Sequence, residues 1–249
     1  MEQVITDIYT KSSRCLFLLD YDGTLADFKK YPKDARLTRS QLQTLQELCM
    51  NPRNTVVIIS GRDHETLDEW LANLPINLAA EYGRFTKERG KPWKVQGNRN
   101  HAWKQAVRPT IKQLIALVPG SFMEEKEFSL VWHYRDIDDG VAKLAVQEVQ
   151  DQINTVVSRF KLTLTPATKS LEFAIPGMDK SKAAERWLSR YKWDFILVAG
   201  DDTGDEVLFN AMPEDVFTIK IGPGKSAARY RLPSPTAFAA LLRQLNKAD

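Results

Sequence analysis

The 249-residue sequence has little of several features on which whole classes of protein depend. It contains two cysteines, Cys15 and Cys49, which are too few for a disulfide framework or a cysteine zinc site, so we expect both to be small buried side chains. Its 35 basic and 32 acidic residues leave a formal net charge of +3. This excess is too small to indicate a nucleic-acid-binding protein or one attracted to anionic membranes. A Gly-x-x-x-x-Gly-Lys phosphate loop is also missing, which argues against nucleotide use.

Long apolar segments are missing as well. No apolar run approaches the roughly 18 residues of a membrane-spanning helix, and residues 1–14 lack the apolar centre of a signal peptide. We therefore expect a cytoplasmic protein with neither a membrane nor a nucleic-acid partner. The 43% of hydrophobic residues suffices for one large domain or two modest ones.

What is present is a series of short apolar runs that end in polar residues. The runs that predict strands are 15–19, 56–59, 78–80, 195–199 and 216–221. Amphipathic helices are predicted between and after them, beginning near Thr38, Asp63, Asp205 and Pro235. Strands that alternate with helices predict an α/β fold with a parallel, doubly wound sheet.

The middle of the sequence has a different pattern. It predicts a helix over 101–117, a strand over 128–134 and one long helix over 141–160, followed by short strands at 162–164 and 171–175. We predict that residues 100–176 form a smaller α+β domain, inserted into a catalytic core made of residues 1–99 and 177–249.

The hexapeptide Asp20-Tyr21-Asp22-Gly23-Thr24-Leu25 directly follows the first apolar run. A buried strand there delivers two carboxylates to its carboxyl end, the edge at which open α/β sheets bind ligands. Asp20 and Asp22 share one face if the strand continues, and Gly23 lets the chain turn away. The alternative is a simple polar turn, which would be the natural interpretation of an isolated Asp-Gly pair.

These residue types suit phosphoryl transfer. Asp20 can act as a nucleophile that accepts a phosphoryl group and later releases it to water. Asp22 can protonate the leaving oxygen and then deprotonate the water. Because carboxylates repel a phosphate dianion, the site needs a cation, and Mg²⁺ suits few carboxylates combined with phosphate and water.

Other predicted strand ends supply the remaining groups. The segment 200–206 carries four carboxylates, of which Asp201 is the candidate metal ligand, while Asp202 and Asp205 could lie in an outer shell or orient bound water. An acidic helix N-terminus is the alternative explanation for Asp205 and Glu206. Ser60 and Lys182 can hold phosphate oxygens. Considered alone, Ser60 would be interpreted as a helix N-cap and Lys182 as a surface lysine.

Taken together, these four motifs resemble those of the haloacid dehalogenase (HAD) superfamily over nearly the whole chain. The resemblance implies a Rossmann-like core with an inserted α+β cap of the C2 type, Asp20 as nucleophile and Asp22 as acid and base. It implies Mg²⁺ held by Asp20, the Asp22 carbonyl and Asp201. The implied phosphate ligands are Thr24, Ser60, Gly61, Arg62 and Lys182.

The sequence of the insert narrows the range of possible substrates. Its segment 124–135 is similar to the cap signature of trehalose-6-phosphate phosphatases, including those fused to a synthase. The residues that match this sugar-binding pattern are Glu124, Lys126, His133, Arg135 and Glu172. Without the resemblance, a solvated charge run and an exposed strand face would explain them. The sequence departs from the family pattern at Tyr82, Ala183 and Gly204, which bears on substrate preference rather than on the reaction.

The resemblance implies an Mg²⁺-dependent phosphatase that converts trehalose 6-phosphate to trehalose, the last step of trehalose biosynthesis, through an aspartyl-phosphate intermediate. Sucrose 6-phosphate or a glucosylglycerol phosphate is the alternative substrate. A catalytically silent sugar-phosphate sensor, or a partner subunit of a trehalose-6-phosphate synthase, is the alternative from another class.

Overall fold

A computed structural model describes residues 2–29, 31–97, 101–167 and 169–248. The chain forms two compact units, Met1–Gln96 with Met178–Asp249 (the core) and Gly97–Gly177 (the cap). The predicted junction between residues 99 and 100 lies outside the described residues.

The core and cap contain the following helices and strands in chain order: α1 (Glu2–Lys11), β1 (Cys15–Leu19), α2 (Arg39–Met50), β2 (Asn54–Ile59), α3 (His64–Leu71), β3 (Asn77–Ala80), β4 (Phe85–Lys87), β5 (Lys94–Val95), α4 (Ala102–Leu117), β6 (Phe122–Glu125), β7 (Ser129–His133), α5 (Asp139–Glu148), α6 (Gln150–Phe160), β8 (Thr163–Ala167), β9 (Ser170–Ala174), α7 (Lys180–Leu188), β10 (Phe195–Gly200), α8 (Thr203–Ala211), β11 (Phe217–Ile221), β12 (Tyr230–Leu232) and α9 (Pro235–Lys247).

The core sheet has the strand order β12-β11-β10-β1-β2-β3-β4-β5. The strands from β12 to β3 pair in parallel, whereas β4 and β5 add an antiparallel edge that the sequence pattern does not predict. Within β1, Leu16 and Leu18 pack with α7 and α8 on one face. On the other face, the Phe17 ring packs against Tyr9 of α1 at a centroid distance of 5.9 Å. The prediction of an α/β core with a doubly wound parallel sheet is confirmed.

Parallel pairing brings the chemically important strand ends to one edge. Leu19 lies beside Ile58 of β2 and beside Ala199 of β10. The segments that follow β1, β2 and β10 therefore leave the sheet at the same carboxyl edge, where open α/β sheets bind their ligands.

The cap is an antiparallel sheet of order β6-β7-β9-β8 with helices packed against one face. Leu130 and Trp132 of β7 and Phe173 of β9 lie in its hydrophobic core together with residues of α4, α5 and α6. The residues between them in each strand point to the opposite face, because strand side chains alternate.

The prediction of one long helix over 141–160 is wrong. The structure has α5 and α6, which meet at Val149, where φ −105° and ψ 14° leave the helical region. Val149 is fully buried in the cap core with Ala145 and Ile153. The apolar spacing continues across the break, because both helices bury a face in the same core, and the pattern alone therefore does not reveal the break.

Both cysteines are free and buried, as expected. Among the described residues, no helix combines the length and apolar character that crossing a membrane requires.

Candidate active site

Asp20 lies at the carboxyl end of β1 and is 6% exposed. Its backbone N–H donates to the Ala199 carbonyl at 3.0 Å, which fixes it next to β10. One carboxylate oxygen lies 2.9 Å from Nζ of Lys180, which is 2% exposed. The other accepts a long hydrogen bond of 3.5 Å from the hydroxyl of Thr24. The candidate nucleophile is thus held at a strand end by three contacts.

Lys180 connects Asp20 to the acidic segment that follows β10. Its Nζ lies 2.8 Å from Oδ1 of Asp205 and 3.4 Å from Oδ1 of Asp202. Burial alone would lower the pKa of Lys180, but the carboxylates of Asp20, Asp205 and Asp202 raise it well above its usual value. The ammonium therefore stays charged and serves three carboxylates at once.

Asp205 and Asp202 organise the start of α8. Asp202 is the N-cap and accepts from the Asp205 N–H at 3.0 Å, and Asp205 accepts from the N–H groups of Asp201 and Asp202 at 2.9 and 3.0 Å. A Cβ at Gly200 would lie 2.0 Å from Cγ of Asp205, so only glycine fits there. Asp205 thus shapes the turn that presents Asp201.

Asp201 is the least satisfied of these carboxylates. Its Oδ1 is buried and has no hydrogen-bond partner within the described part of the chain. Burial, followed by the charges of Asp202 and Asp205, raises the pKa of Asp201 to about 7. Its backbone carbonyl accepts from Nζ of Lys220 on β11, which is itself buried.

The donor set fits a hard divalent cation. Oxygens of Asp20, Asp201 and Asp205 lie within 4.8 Å of one another. Burial raises the pKa of Asp20 and of Asp205 well above their usual values, Lys180 opposes this shift, and the neighbouring carboxylates add to it. Mg²⁺ binds carboxylate oxygens in proteins. The buried Asp201 oxygen, which lacks a hydrogen-bond partner among the described residues, is therefore suited to such an ion.

Asp22 has a different environment from Asp20. Arg62 donates to both of its oxygens, from Nε at 2.7 Å and from Nη2 at 2.6 Å. The guanidinium lies 4.5 Å from the Trp70 ring centroid and 5.5 Å from that of Tyr21. Arg62, predicted as a phosphate ligand, is therefore engaged with the candidate acid and base.

The turn after β2 is held by several short-range contacts. Ser60 is buried, and its hydroxyl accepts from the Arg62 N–H at 3.2 Å. A Cβ at Gly61 would lie 2.7 Å from the phenol oxygen of Tyr82. Tyr82 also donates its N–H to the Ser60 carbonyl at 3.0 Å and has a left-handed φ of 56°. Tyr82, one of the positions at which the sequence departs from the family pattern, thus packs against the predicted phosphate-binding turn.

The lysine that contacts Asp20 in the structure is Lys180, whereas the sequence pattern predicts Lys182. Lys182 is exposed in the first turn of α7, where its N–H donates to the N-cap Asp179. The buried face of α7 consists of Lys180, Ala183, Ala184 and Trp187. This spacing of three and four residues is the helical period, and it could have identified Lys180 from sequence. Lys220 has no comparable signal, because its partner is a backbone carbonyl 19 residues away.

In the cap, the predicted sugar ligands occupy one region of the sheet. Glu124 pairs in register with Val131, and Val131 pairs with Glu172, which puts all three on the face opposite the helices. His133, two residues along β7, lies 2.7 Å from the Glu124 carboxylate. Lys126 and Arg135 follow the ends of β6 and β7, outside the regular strands.

The chain is similar to known proteins over most of its length. A family model described as trehalose-phosphatase matches residues 18–236. A bifunctional trehalose-6-phosphate synthase/phosphatase of Thermoproteus tenax is 37% identical over 95% of the chain, and a trehalose-phosphatase of Schizosaccharomyces pombe is 31% identical over 84%. The chain spans 32% and 25% of the lengths of these two relatives.

Solved structures extend the comparison. The C-terminal domain of C. albicans trehalose-6-phosphate phosphatase has a TM-score of 0.90 and 27% identity, and the match covers 99% of this chain and 96% of that one. A haloacid dehalogenase-like hydrolase from Bacteroides thetaiotaomicron has a TM-score of 0.63 and 14% identity, with 92% and 98% coverage, and therefore shares the fold.

Proposed function

Because the chain belongs to the trehalose-phosphatase family, we propose that it hydrolyses trehalose 6-phosphate to trehalose and phosphate. The observation that carries this proposal is the contact of Asp20 with Lys180 at the carboxyl end of β1, beside the buried and unpartnered oxygen of Asp201. A nucleophile, a fixed ammonium and a cation site at one sheet edge are the parts that phosphoryl transfer from a monoester needs.

In the proposed first step, an Asp20 oxygen attacks phosphorus and the bond from phosphorus to the sugar oxygen breaks. The leaving oxygen takes a proton from Asp22. The product is an aspartyl phosphate on Asp20 and free trehalose. In the second step Asp22 takes a proton from water, the water oxygen attacks phosphorus, and the Asp20 carboxylate is restored together with inorganic phosphate.

Lys180 and the turn after β2 have supporting roles in this proposal. Lys180 holds Asp20 in place and offsets charge that builds up between carboxylate and phosphate. Ser60, Gly61 and Thr24 are the proposed phosphate ligands. Arg62 is proposed to orient Asp22, because its guanidinium donates two hydrogen bonds to that carboxylate.

The proposed cofactor is Mg²⁺, held by Asp20 and Asp201 together with the Asp22 carbonyl. When bound, it neutralises the negative charge that would otherwise keep a carboxylate from approaching phosphate. Asp205 and Asp202 are proposed to shape the Asp201 turn, because both are occupied by backbone N–H groups and Lys180.

The cap is proposed to recognise the sugar. Glu124, Lys126 and Glu172 are the proposed ligands of sugar hydroxyls, with His133 and Arg135 beside them in sequence or space. A site that hydrogen-bonds hydroxyls rejects analogues that lack them, because its polar groups are then left unpaired. Glu124→Ala should therefore impair trehalose 6-phosphate hydrolysis far more than hydrolysis of p-nitrophenyl phosphate. Equal losses of activity on the two substrates would show that Glu124 is not a sugar ligand.

Association with a synthase is a further part of the proposal, supported by the T. tenax relative whose name joins synthase and phosphatase. Co-elution of the purified chain with a separate trehalose-6-phosphate synthase in size-exclusion chromatography would support it, and separate elution at micromolar concentrations would contradict it.

Phosphate release from a panel of sugar phosphates, with Mg²⁺ and with EDTA, tests the proposed function. The panel holds trehalose 6-phosphate, sucrose 6-phosphate, glucosylglycerol phosphate and glucose 6-phosphate, and Asp20→Asn is the inactive control. Metal-dependent preference for trehalose 6-phosphate that disappears in Asp20→Asn is the expected result. Preference for another sugar phosphate of the panel would make that compound the proposed substrate. Inactivity on all four would favour a sugar-phosphate sensor.

A further inference from the structure

The first half of α4 holds the loop between β6 and β7 through a buried lysine. Nζ of Lys104 donates to the carbonyl of Lys126 and lies 3.2 Å from Oε1 of Glu125. Arg108, one turn further along α4, binds both oxygens of Glu125, with Nη2 at 2.7 and 2.8 Å. Two cations spaced at i and i+4 therefore share one face of the helix and one carboxylate.

A third contact lies at the start of the same helix. Nε2 of His101, the N-cap residue of α4, lies 3.2 Å from Oε1 of Glu127. The Lys104 N–H in turn donates to the His101 carbonyl at 3.0 Å. His101, Lys104 and Arg108 thus contact residues 125–127, which comprise the last residue of β6 and the two that follow it, and which we call the recognition loop.

The burial of Lys104 is not explained by cap stability. The residue is 4% exposed, and its neighbours Trp103 and Val107 belong to the hydrophobic core. Burying an ammonium has a large desolvation cost, and apolar residues of similar volume often replace buried ion pairs without loss of stability. A methionine at this position would fill the space but could not donate to the loop.

Lys104 fixes the backbone at Lys126. The N–H of Lys126 donates to the Ser129 carbonyl at 3.0 Å, and its carbonyl accepts from Lys104. Both backbone polar groups of this residue therefore have fixed partners, one within the hairpin and one from the helix. Lys126 and the preceding Glu124 are two of the proposed sugar ligands.

We propose that Lys104 is a positioning residue for sugar recognition, which pre-organises the recognition loop so that Glu124 and Lys126 meet the sugar hydroxyls in a fixed geometry. This inference rests on the proposed function. Groups fixed before binding need no ordering when the substrate arrives, and small misplacements of such groups are costly.

The test compares Lys104→Met with Leu114→Ala. Leu114 lies in the same helix, is fully buried in the cap core, and is about 15 Å further along the axis, so its replacement lowers cap stability without removing a loop contact. The measured quantity is the ratio of kcat/KM for trehalose 6-phosphate to kcat/KM for p-nitrophenyl phosphate. We expect Lys104→Met to lower this ratio by about tenfold and Leu114→Ala to leave it within about twofold.

Hydrogen exchange of the Lys126 amide supplies a readout that is independent of activity. It should accelerate in Lys104→Met and keep its wild-type rate in Leu114→Ala at equal temperature. An unchanged ratio in Lys104→Met, or equal changes in both variants, would overturn the positioning role. If wild-type protein does not hydrolyse trehalose 6-phosphate at all, the proposed function fails instead, and the exchange result still decides whether Lys104 fixes the loop.

A second variant covers the case in which Lys104→Met does not fold. Glu125→Gln keeps the side-chain shape at a half-exposed position and weakens the contacts with Lys104 and Arg108. We expect a decrease of about threefold in the same ratio, because the Lys104 contact with the Lys126 carbonyl remains. A wild-type ratio in Glu125→Gln would then overturn the inference.

Discussion

Arg62 holds the carboxylate of Asp22 with two hydrogen bonds, from Nε at 2.7 Å and from Nη2 at 2.6 Å. The two residues lie 40 positions apart in the sequence. The guanidinium lies 4.5 Å from the Trp70 ring centroid and 5.5 Å from that of Tyr21, and these two rings pack against each other, so aromatic contacts support the guanidinium while its donors face Asp22. The two aspartates of one motif therefore have different cationic partners, Lys180 for Asp20 and Arg62 for Asp22.

Arg62→Lys should lower kcat/KM for the substrate by about 10- to 100-fold, because lysine cannot make the bidentate contact or stack on Trp70 in the same way. Steady-state kinetics at saturating Mg²⁺ measures this effect. Arg36→Lys is the matched control, since Arg36 also stacks on Trp70 but binds the exposed Glu69. Equal effects in the two variants would mean that stacking rather than the Asp22 contact matters.

Lys180→Met and Lys182→Met form a second matched pair. Loss of Lys180 leaves Asp20 and Asp205 buried without their ammonium, and breaking a buried ion pair typically costs about 3–5 kcal/mol of folding stability. Lys182 is exposed, and its replacement should have little effect on either folding stability or turnover. Denaturant unfolding and turnover with p-nitrophenyl phosphate measure the two effects. A larger loss of turnover in Lys182→Met than in Lys180→Met would support the sequence-based prediction that Lys182 is the phosphate ligand.

Local signals explain which parts of the fold could be predicted from sequence. The five apolar residues of β1 are buried on both faces, which is why a continuous apolar run identifies a central parallel strand. Thr38 caps α2 with a capping box that includes Gln41. Each of these features depends on residues a few positions apart.

Features that depend on distant partners were not predictable from sequence in this way. The Arg62 contact with Asp22 and the Lys220 contact with the Asp201 carbonyl join different strand ends. Their existence follows from sheet order, which spacing along the chain does not give. The choice between Lys180 and Lys182 is an intermediate case, because α7 has a buried face that its periodicity reveals once the helix boundaries are known.

Cation binding should be linked to protonation of Asp201. Burial and the neighbouring carboxylates raise the pKa of Asp201 to about 7 when no cation is bound. A cation ligand must be deprotonated, so the apparent Mg²⁺ affinity should fall by at least about tenfold for each pH unit below 7, and more steeply if the proton of Asp20, whose pKa is also raised, is displaced as well. Isothermal titration between pH 5.5 and 8 measures this slope. A pH-independent affinity would contradict the assignment, and Asp201→Asn should bind weakly at every pH.

The same shift has a consequence for stability. An acid whose pKa is raised in the folded state binds more protons there than in the unfolded state between about pH 4 and 7. Without a cation, Asp201 should therefore make the protein less stable as pH rises through this range. Bound Mg²⁺ offsets the effect, so the difference in Tm between Mg²⁺ and EDTA should widen from pH 5 to pH 8. A constant difference would show that Asp201 does not contribute.

Gly23 tests how closely the first motif packs against the Asp201 turn. Its φ is +75°, and a Cβ there would lie 2.3 Å from Oδ2 of Asp201. Gly90 has a similar φ of +71°, but a Cβ there would have no other atom within 4 Å among the described residues. Gly90→Ala should therefore cost only the left-handed strain of about 1 kcal/mol, with normal turnover.

Gly23→Ala carries the same backbone strain and in addition displaces the Asp201 carboxylate. We expect it to lower Mg²⁺-dependent kcat/KM by at least about tenfold, because groups at a reaction centre tolerate little misplacement. The Mg²⁺ concentration at half-maximal activity should rise in Gly23→Ala and stay unchanged in Gly90→Ala. If both variants lose only stability, and by equal amounts, the contact between Gly23 and Asp201 has no part in holding the cation.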